Sequence, residues 1–186
     1  VNEFYAPPFG LAYWAGVALL LFARALDFLS TWIATPSLLL EANPIARRLG
    51  WFGGVAVNLL VCFAAAVVPF VAVLLSVTSA MVAARNFQAA WLARTMGEDE
   101  YRDHLEEQFG RADQRLVLGC IWAQAALYSA VGIAVVLLTD DLLAQAAGWG
   151  IMGFGLAIAV HSTHYYRRAR HVLSNQERVS KLSEPR

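Results

Sequence analysis

Between Arg48 and Arg85 the chain carries no charged side chain, and most of that stretch is alanine, valine, leucine, phenylalanine and glycine. Water cannot solvate such a run without large exposed apolar surface, whereas in a bilayer a helix satisfies its backbone amides internally. If wholly helical, the run reaches about 50 Å, well beyond a hydrocarbon core of roughly 30 Å. Either one helix tilts, kinks at Pro69 and projects from the membrane, or the chain turns back at Val68, Pro69 and Phe70 as two short spans. No polar residue marks such a turn, so a single projecting helix over 51–80 is expected.

Three more apolar stretches have spanning length. The first, 9–34, follows the Pro7–Pro8 pair, ends at Thr35–Pro36, and carries Tyr13, Trp14 and Trp32 near its ends, where aromatic rings suit the interface. The others, 116–139 and 142–166, are separated by a short acidic turn at Asp140 and Asp141. These elements predict an all-α fold, a four-span transmembrane bundle forming one integral membrane domain over 1–186. A composition of 59% hydrophobic and 15% charged residues agrees.

The middle segment, 84–115, has a different character. Glu98 and Arg102, and Glu107 and Arg111, are spaced for pairing along a helix, while Tyr101, Leu105 and Phe109 form a stripe. With Gly97 and Gly110 as breaks, it reads as a cytoplasmic helical hairpin. Arg167, Arg168 and Arg170 then end the last span before a polar tail, 167–186.

Fourteen basic residues balance fourteen acidic ones, which gives no basis for nucleic-acid binding. The two cysteines, Cys62 and Cys120, lie in apolar runs and form neither a disulfide framework nor a zinc set. No cleavable leader is visible before the first span. With four spans, the positive-inside rule places both termini in the cytoplasm, at a prokaryotic inner membrane, although Arg47 and Arg48 then fall on the opposite side.

Polar residues at membrane depth are the candidate functional groups. Arg24, Asp27 and Thr31 share one face of the first span. In one reading Arg24 and Asp27 form a structural ion pair, with the spare carboxylate oxygen accepting from Ser30 or Thr31. In another, the loop after Pro36 returns Glu41 and Asn43 towards Asp27, and Asn58 joins them, making a site of hard oxygen donors for a cation, a proton or a polar headgroup. In a third, Glu41 or Asn43 caps a helix beginning at Pro44.

The order Asp27, Ser30, Thr31, followed by Glu41-Ala42-Asn43-Pro44, resembles a family of small uncharacterised prokaryotic multi-span membrane proteins. That family's signature is Asp-x-x-Ser/Thr-Thr with Glu-x-Asn-Pro, and its domain has no assigned function. The likeness covers the first third of the chain; it implies that these polar residues act as a set and supplies no activity.

His161 and His164, three apart near the end of the last span, could hold a metal, or a haem or chlorin supplied from another chain, given further donors such as Asn86 or His104. No cofactor is identified. Phosphate-binding loops, nucleophile elbows and zinc-protease helices are missing from the sequence. The leading expectation is therefore a non-catalytic integral membrane subunit, bound to other subunits or to copies of itself in the bilayer. Its contacts would be a helix face built from Gly148, Gly150, Gly153 and Gly155 and the charged hairpin. The alternatives are a small transporter or cation- or proton-binding protein using Asp27, Glu41 and Asn43, and a metal- or pigment-binding subunit or enzyme using His161 and His164.

Overall fold

Apolar runs closed by proline, glycine or acidic caps become helices throughout. A computed structural model describes residues 5–40 and 44–183, with the side chains of 44–46 and 172–183 outside the description. Among the described residues there are six helices: α1 (Leu11–Ala34), α2 (Pro44–Ala65), α3 (Pro69–Met96), α4 (Glu98–Arg111), α5 (Gln114–Leu138) and α6 (Leu142–Ser183). Five of them, all but α4, are long and apolar enough to cross a membrane.

The expected four-span arrangement is corrected at Ala66–Val68. The single helix over 51–80 is two helices, and Pro69 opens α3 in its first turn, where its missing N–H costs nothing. The turn needs no polar side chain because its backbone groups find partners. Val67 and Val68 donate to the carbonyls of Ala64 and Ala65, and the Ala6 amide donates to Val67 O at 2.9 Å. α2 also bends at Gly50, whose φ of 61° suits glycine.

The contacts fix the helix directions. The Ala6–Val67 bond and the approach of Gly16 to Ala66 place the start of α1 beside the start of α3. Thr35, just after α1, bonds Glu98 just after α3, so these two helices run parallel with α2 as the crossover. α6 runs parallel to α3, through Thr78 Oγ1 to Gly150 O (3.0 Å) and Arg85 to Ser162 Oγ (3.1 Å). α5 runs antiparallel to α6. The order across the bundle is thus α1, α3, α6, α5, with α2 on the flank of α1.

Small side chains let these helices approach. α3 buries Ala72, Ser76, Ser79, Ala83, Ala90 and Ala93. The α6 glycines divide between two neighbours rather than forming one face. Gly148 and Gly155 lie against the α5 backbone at Gly132 and Ala125, and Gly150 lies against α3 at Leu74. Without lipid-excluding hydrophobic force between spans, such close packing is what holds them together.

The middle segment is not a free hairpin. α3 continues to Met96, Gly97 takes φ 91°, and α4 follows, with the next break at Ala112–Asp113 rather than at Gly110. Phe109, from the apolar stripe of α4, packs edge-on against Tyr165 and Tyr166 of α6, with ring centroids 5.9 and 5.5 Å away. Arg170 donates to Ala112 O at 2.8 Å. Residues 167–183, read from sequence as a tail, continue α6.

Candidate functional site

α1 carries the ion pair expected from its sequence. Arg24 Nη1 stands 3.5 Å from Asp27 Oδ2, with side chains 27% and 21% exposed. At about 1.5 Å per residue, Arg24 lies about 20 Å along α1 from Leu11, inside the apolar layer. Neither Ser30 nor Thr31 bonds the carboxylate as expected. Ser30 Oγ and Thr31 Oγ1 instead donate to the backbone carbonyl of Asp27, at 2.8 and 3.0 Å. Such back-bonding satisfies a hydroxyl locally wherever the helix is surrounded by lipid or protein. Ser30 Oγ also accepts from Asn86 Nδ2 of α3 at 3.4 Å, linking the parallel pair.

Asn58 stands on the side of α2 that meets α1. Gly54, one turn earlier, approaches Phe28, and Cys62, one turn later, is buried in a cluster with Tyr13, Val17 and Leu20. Its Nδ2 donates to Gly54 O at 2.9 Å. The structure thus brings Asn58 to the α1 side while engaging its amide within α2. Glu41 and Asn43 lie outside the described residues, as do their proposed capping roles, although α2 does begin at Pro44.

His161 and His164 are both exposed on α6. Among the described residues, no group of three His, Cys, Asp or Glu side chains is placed to hold a metal. Asn86, suggested from sequence as an extra donor, bonds Ser30 instead.

Glu98 is the polar junction that local spacing misassigns. The expected Glu98–Arg102 pair does not form; Arg102 pairs with Asp99 and Asp103, at 3.4 and 3.0 Å, whereas Arg111 does pair with Glu107. Glu98 reaches the loop after α1 instead, accepting from Thr35 Oγ1 and Ser37 Oγ at 2.6 Å each and from Ser37 N at 3.1 Å. Thr35 Oγ1 in turn accepts from Leu40 N at 3.1 Å. A cleft of ≈ 210 Å³ lies beside this clasp, lined by Ala34, Pro36, Ala93, Arg94, Gly97 and Glu98.

Burial alone raises the Glu98 pKa, but hydrogen bonds from the Ser37 and Thr35 hydroxyls and the Ser37 and Leu39 amides outweigh it and hold the carboxyl below its usual range. A carboxyl depressed in the folded state binds fewer protons there than in the unfolded chain. Its stabilisation is therefore complete above the ordinary range, about pH 4.3, and is lost as pH falls through the lower folded value. Faster hydrogen exchange across 35–40 is expected on acidification, and Glu98→Ala should produce it at neutral pH, with a local loss of about 1.5 kcal/mol. Unchanged exchange in Glu98→Ala would refute the clasp.

Compared with family models, curated proteins and solved structures, the chain matches none, and its own geometry is what carries a functional reading.

Proposed function

We propose that this chain is a non-catalytic integral membrane subunit that works by associating with other transmembrane helices, and that α2 is the span through which it does so. The observation that supports this reading is the sparse packing of α2. Only 6% of its span is buried within the chain, against 11% for α5, 22% for α1 and α3 and 39% for α6. Phe52 is 95% exposed and Leu60 72%. The glycines of α6 and the charged middle segment, expected from sequence to receive a partner, pack within the chain, so the interface moves to α2. Copper-catalysed oxidation of Leu60→Cys in native membranes, with Cys120→Ser to remove the exposed thiol, is expected to give an intermolecular crosslink whose mass distinguishes a second copy from another subunit. Leu127→Cys on the exposed face of α5 is the control; equal or absent crosslinking at both sites sinks the reading.

The membrane is proposed to be a prokaryotic inner membrane, with five crossings. Among the described residues, every Arg or Lys other than Arg24 and Arg85 then lies at or beyond the end formed by the finish of α1, α3 and α6, whereas the opposite end has Asp140 and Asp141 and no basic residue. Arg47 and Arg48, which conflicted with a four-span layout, join the majority. The positive-inside rule then supports a cytoplasmic C-terminus and an N-terminus across the membrane, in place of two cytoplasmic termini. Reporter fusions are expected to show fluorescence in the cytoplasm for the C-terminal fusion alone.

A second reading, a cation- or proton-binding protein, is favoured by one observation: Asn58 faces the helix that bears the Arg24–Asp27 pair. Under this reading Asp27→Asn abolishes proton- or cation-dependent transport even in the protein that remains folded, a loss beyond what unpairing Arg24 explains.

A further inference from the structure

Arg85, like Arg24, lies well inside a helix of spanning length, but its surroundings differ from those of Arg24. Its Nη2 donates to Ser162 Oγ of α6 at 3.1 Å and its Nη1 to Gln124 Oε1 of α5 at 3.4 Å. Both acceptors are neutral, and among the described residues no carboxylate lies within ion-pair distance of Arg85. A cation in or beside hydrocarbon without a counter-charge is costly.

Its position supplies a candidate anion. Arg85 lies about 24 Å along α3 from Pro69, Ser162 about 30 Å along α6 from Leu142 and Gln124 about 21 Å along α5 from Leu138, which sets the guanidinium in the charge-rich half of a bilayer core roughly 30 Å thick, within an arginine's reach of that boundary. Trp91 and Trp122, on α3 and α5 near this end, are 65% and 53% exposed, as interfacial indoles are. Arg85 and Ser162 are half-buried and Gln124 is exposed, so the three polar groups, one each from α3, α6 and α5, form a cluster at the surface of the bundle.

The hydrogen-bond polarity of the cluster also matters. Ser162 and Gln124 accept from Arg85 through oxygen, which leaves the Ser162 hydroxyl proton and the Gln124 amide N–H groups as further donors. With the remaining guanidinium N–H groups, the cluster combines donors and a positive charge, the complement of a phosphate oxyanion.

We propose that Arg85, Gln124 and Ser162 form a phosphate subsite that holds the headgroup of an anionic phospholipid from the leaflet at the charge-rich end. A soluble phosphate has the same donor requirement but lacks acyl chains to lodge against the neighbouring spans, and the two sources separate experimentally.

The full chain, purified in mild detergent, would be melted with added phosphatidylglycerol, phosphatidylcholine or inorganic phosphate, and retained lipid counted by native mass spectrometry. Phosphatidylglycerol is expected to raise the melting temperature and remain bound, phosphatidylcholine to bind about tenfold more weakly, and inorganic phosphate to have no effect. Arg85→Gln should abolish the phosphatidylglycerol response, Arg85→Lys should keep part of it, and Arg115→Gln, an exposed arginine at the start of α5, should keep it in full. An undiminished response in Arg85→Gln overturns the proposal. So does equal loss in Arg115→Gln, which would indicate diffuse surface charge, or an inorganic phosphate response as large as that to lipid. If Arg85→Gln does not fold, the Gln124→Leu/Ser162→Ala double variant is expected to cut retained phosphatidylglycerol about threefold, and unchanged retention overturns the proposal equally.

Discussion

Gly132→Leu is expected to leave little folded protein. A Cβ at Gly132 would stand 2.5 Å from the carbonyl oxygen of Gly148, and one at Gly148 would stand 2.8 Å from the carbonyl oxygen of Gly132. These neighbours are backbone atoms, which cannot rotate aside, so the two helix axes must separate. Separation also loosens the contact of Gly155 with Ala125 O and the edge-on pair Tyr128–Phe154, whose centroids are 5.0 Å apart. Overpacking ordinarily costs about 1–3 kcal/mol, and a backbone clash between closely packed helices belongs at or beyond the upper end. Within lipid no hydrophobic gain compensates, because the exposed surfaces meet acyl chains of similar polarity. Size-exclusion profiles and thermal melts in detergent test this, with Gly119→Ala as the contrast. Its added methyl meets nothing within 4 Å, and replacing a helical glycine adds up to about 1 kcal/mol. A Gly132→Leu melt within about 2 °C of the parent would contradict the close approach.

Asp27→Ala is expected to destabilise the protein by about 3 kcal/mol, since it leaves Arg24 charged inside the apolar layer without the carboxylate 3.5 Å away. Removing both members, as Arg24→Met with Asp27→Ala, should restore most of that loss, because two charges leave the bilayer together. The coupling in this double-mutant cycle is thus expected to be large and favourable. Independent, additive losses would show that Asp27 acts on the fold through something other than Arg24. The same cycle informs function: a double variant that folds well but no longer supports ion-dependent transport would favour the cation- or proton-binding reading over the subunit reading.

Legibility from sequence followed the reach of the interactions. α1, α5 and the start of α6 lie within about two residues of their expected limits, because local signals mark them: Thr35–Pro36, the change from charged to apolar residues at Leu116 and the Asp140–Asp141 turn. The α2–α3 turn lacked such a mark. Its amides and carbonyls bond one another and the distant Ala6, so the residues there stay apolar, and Pro69 reads equally as a kink or as the first turn of a new helix.

The polar groups divide in the same way. Arg24 and Asp27 are three apart and their pairing follows from helix geometry. Glu98 has a basic residue four positions away, yet its partners Thr35 and Ser37 come from the far end of the parallel helix. Gly132 was silent in sequence, being an isolated glycine in α5 whose significance depends on what α6 sets against it. The small residues that α3 buries, Ala72, Ser76, Ser79 and Ala83, recur at four- and three-residue spacing, but what they meet is set by helices distant in sequence.

The parallel pairing of α1 with α3 bears on how the nascent chain enters the membrane. α1 leaves the ribosome two helices ahead of its main neighbour and must meanwhile rest among acyl chains. An ion pair contained in one helix, with Ser30 and Thr31 closed onto the same turn, lets α1 partition without waiting. Arg85 has no such provision, for its partners Gln124 and Ser162 are translated later. The third helix, rather than the first, is therefore the one whose lateral release from the insertion machinery depends on the two spans that follow.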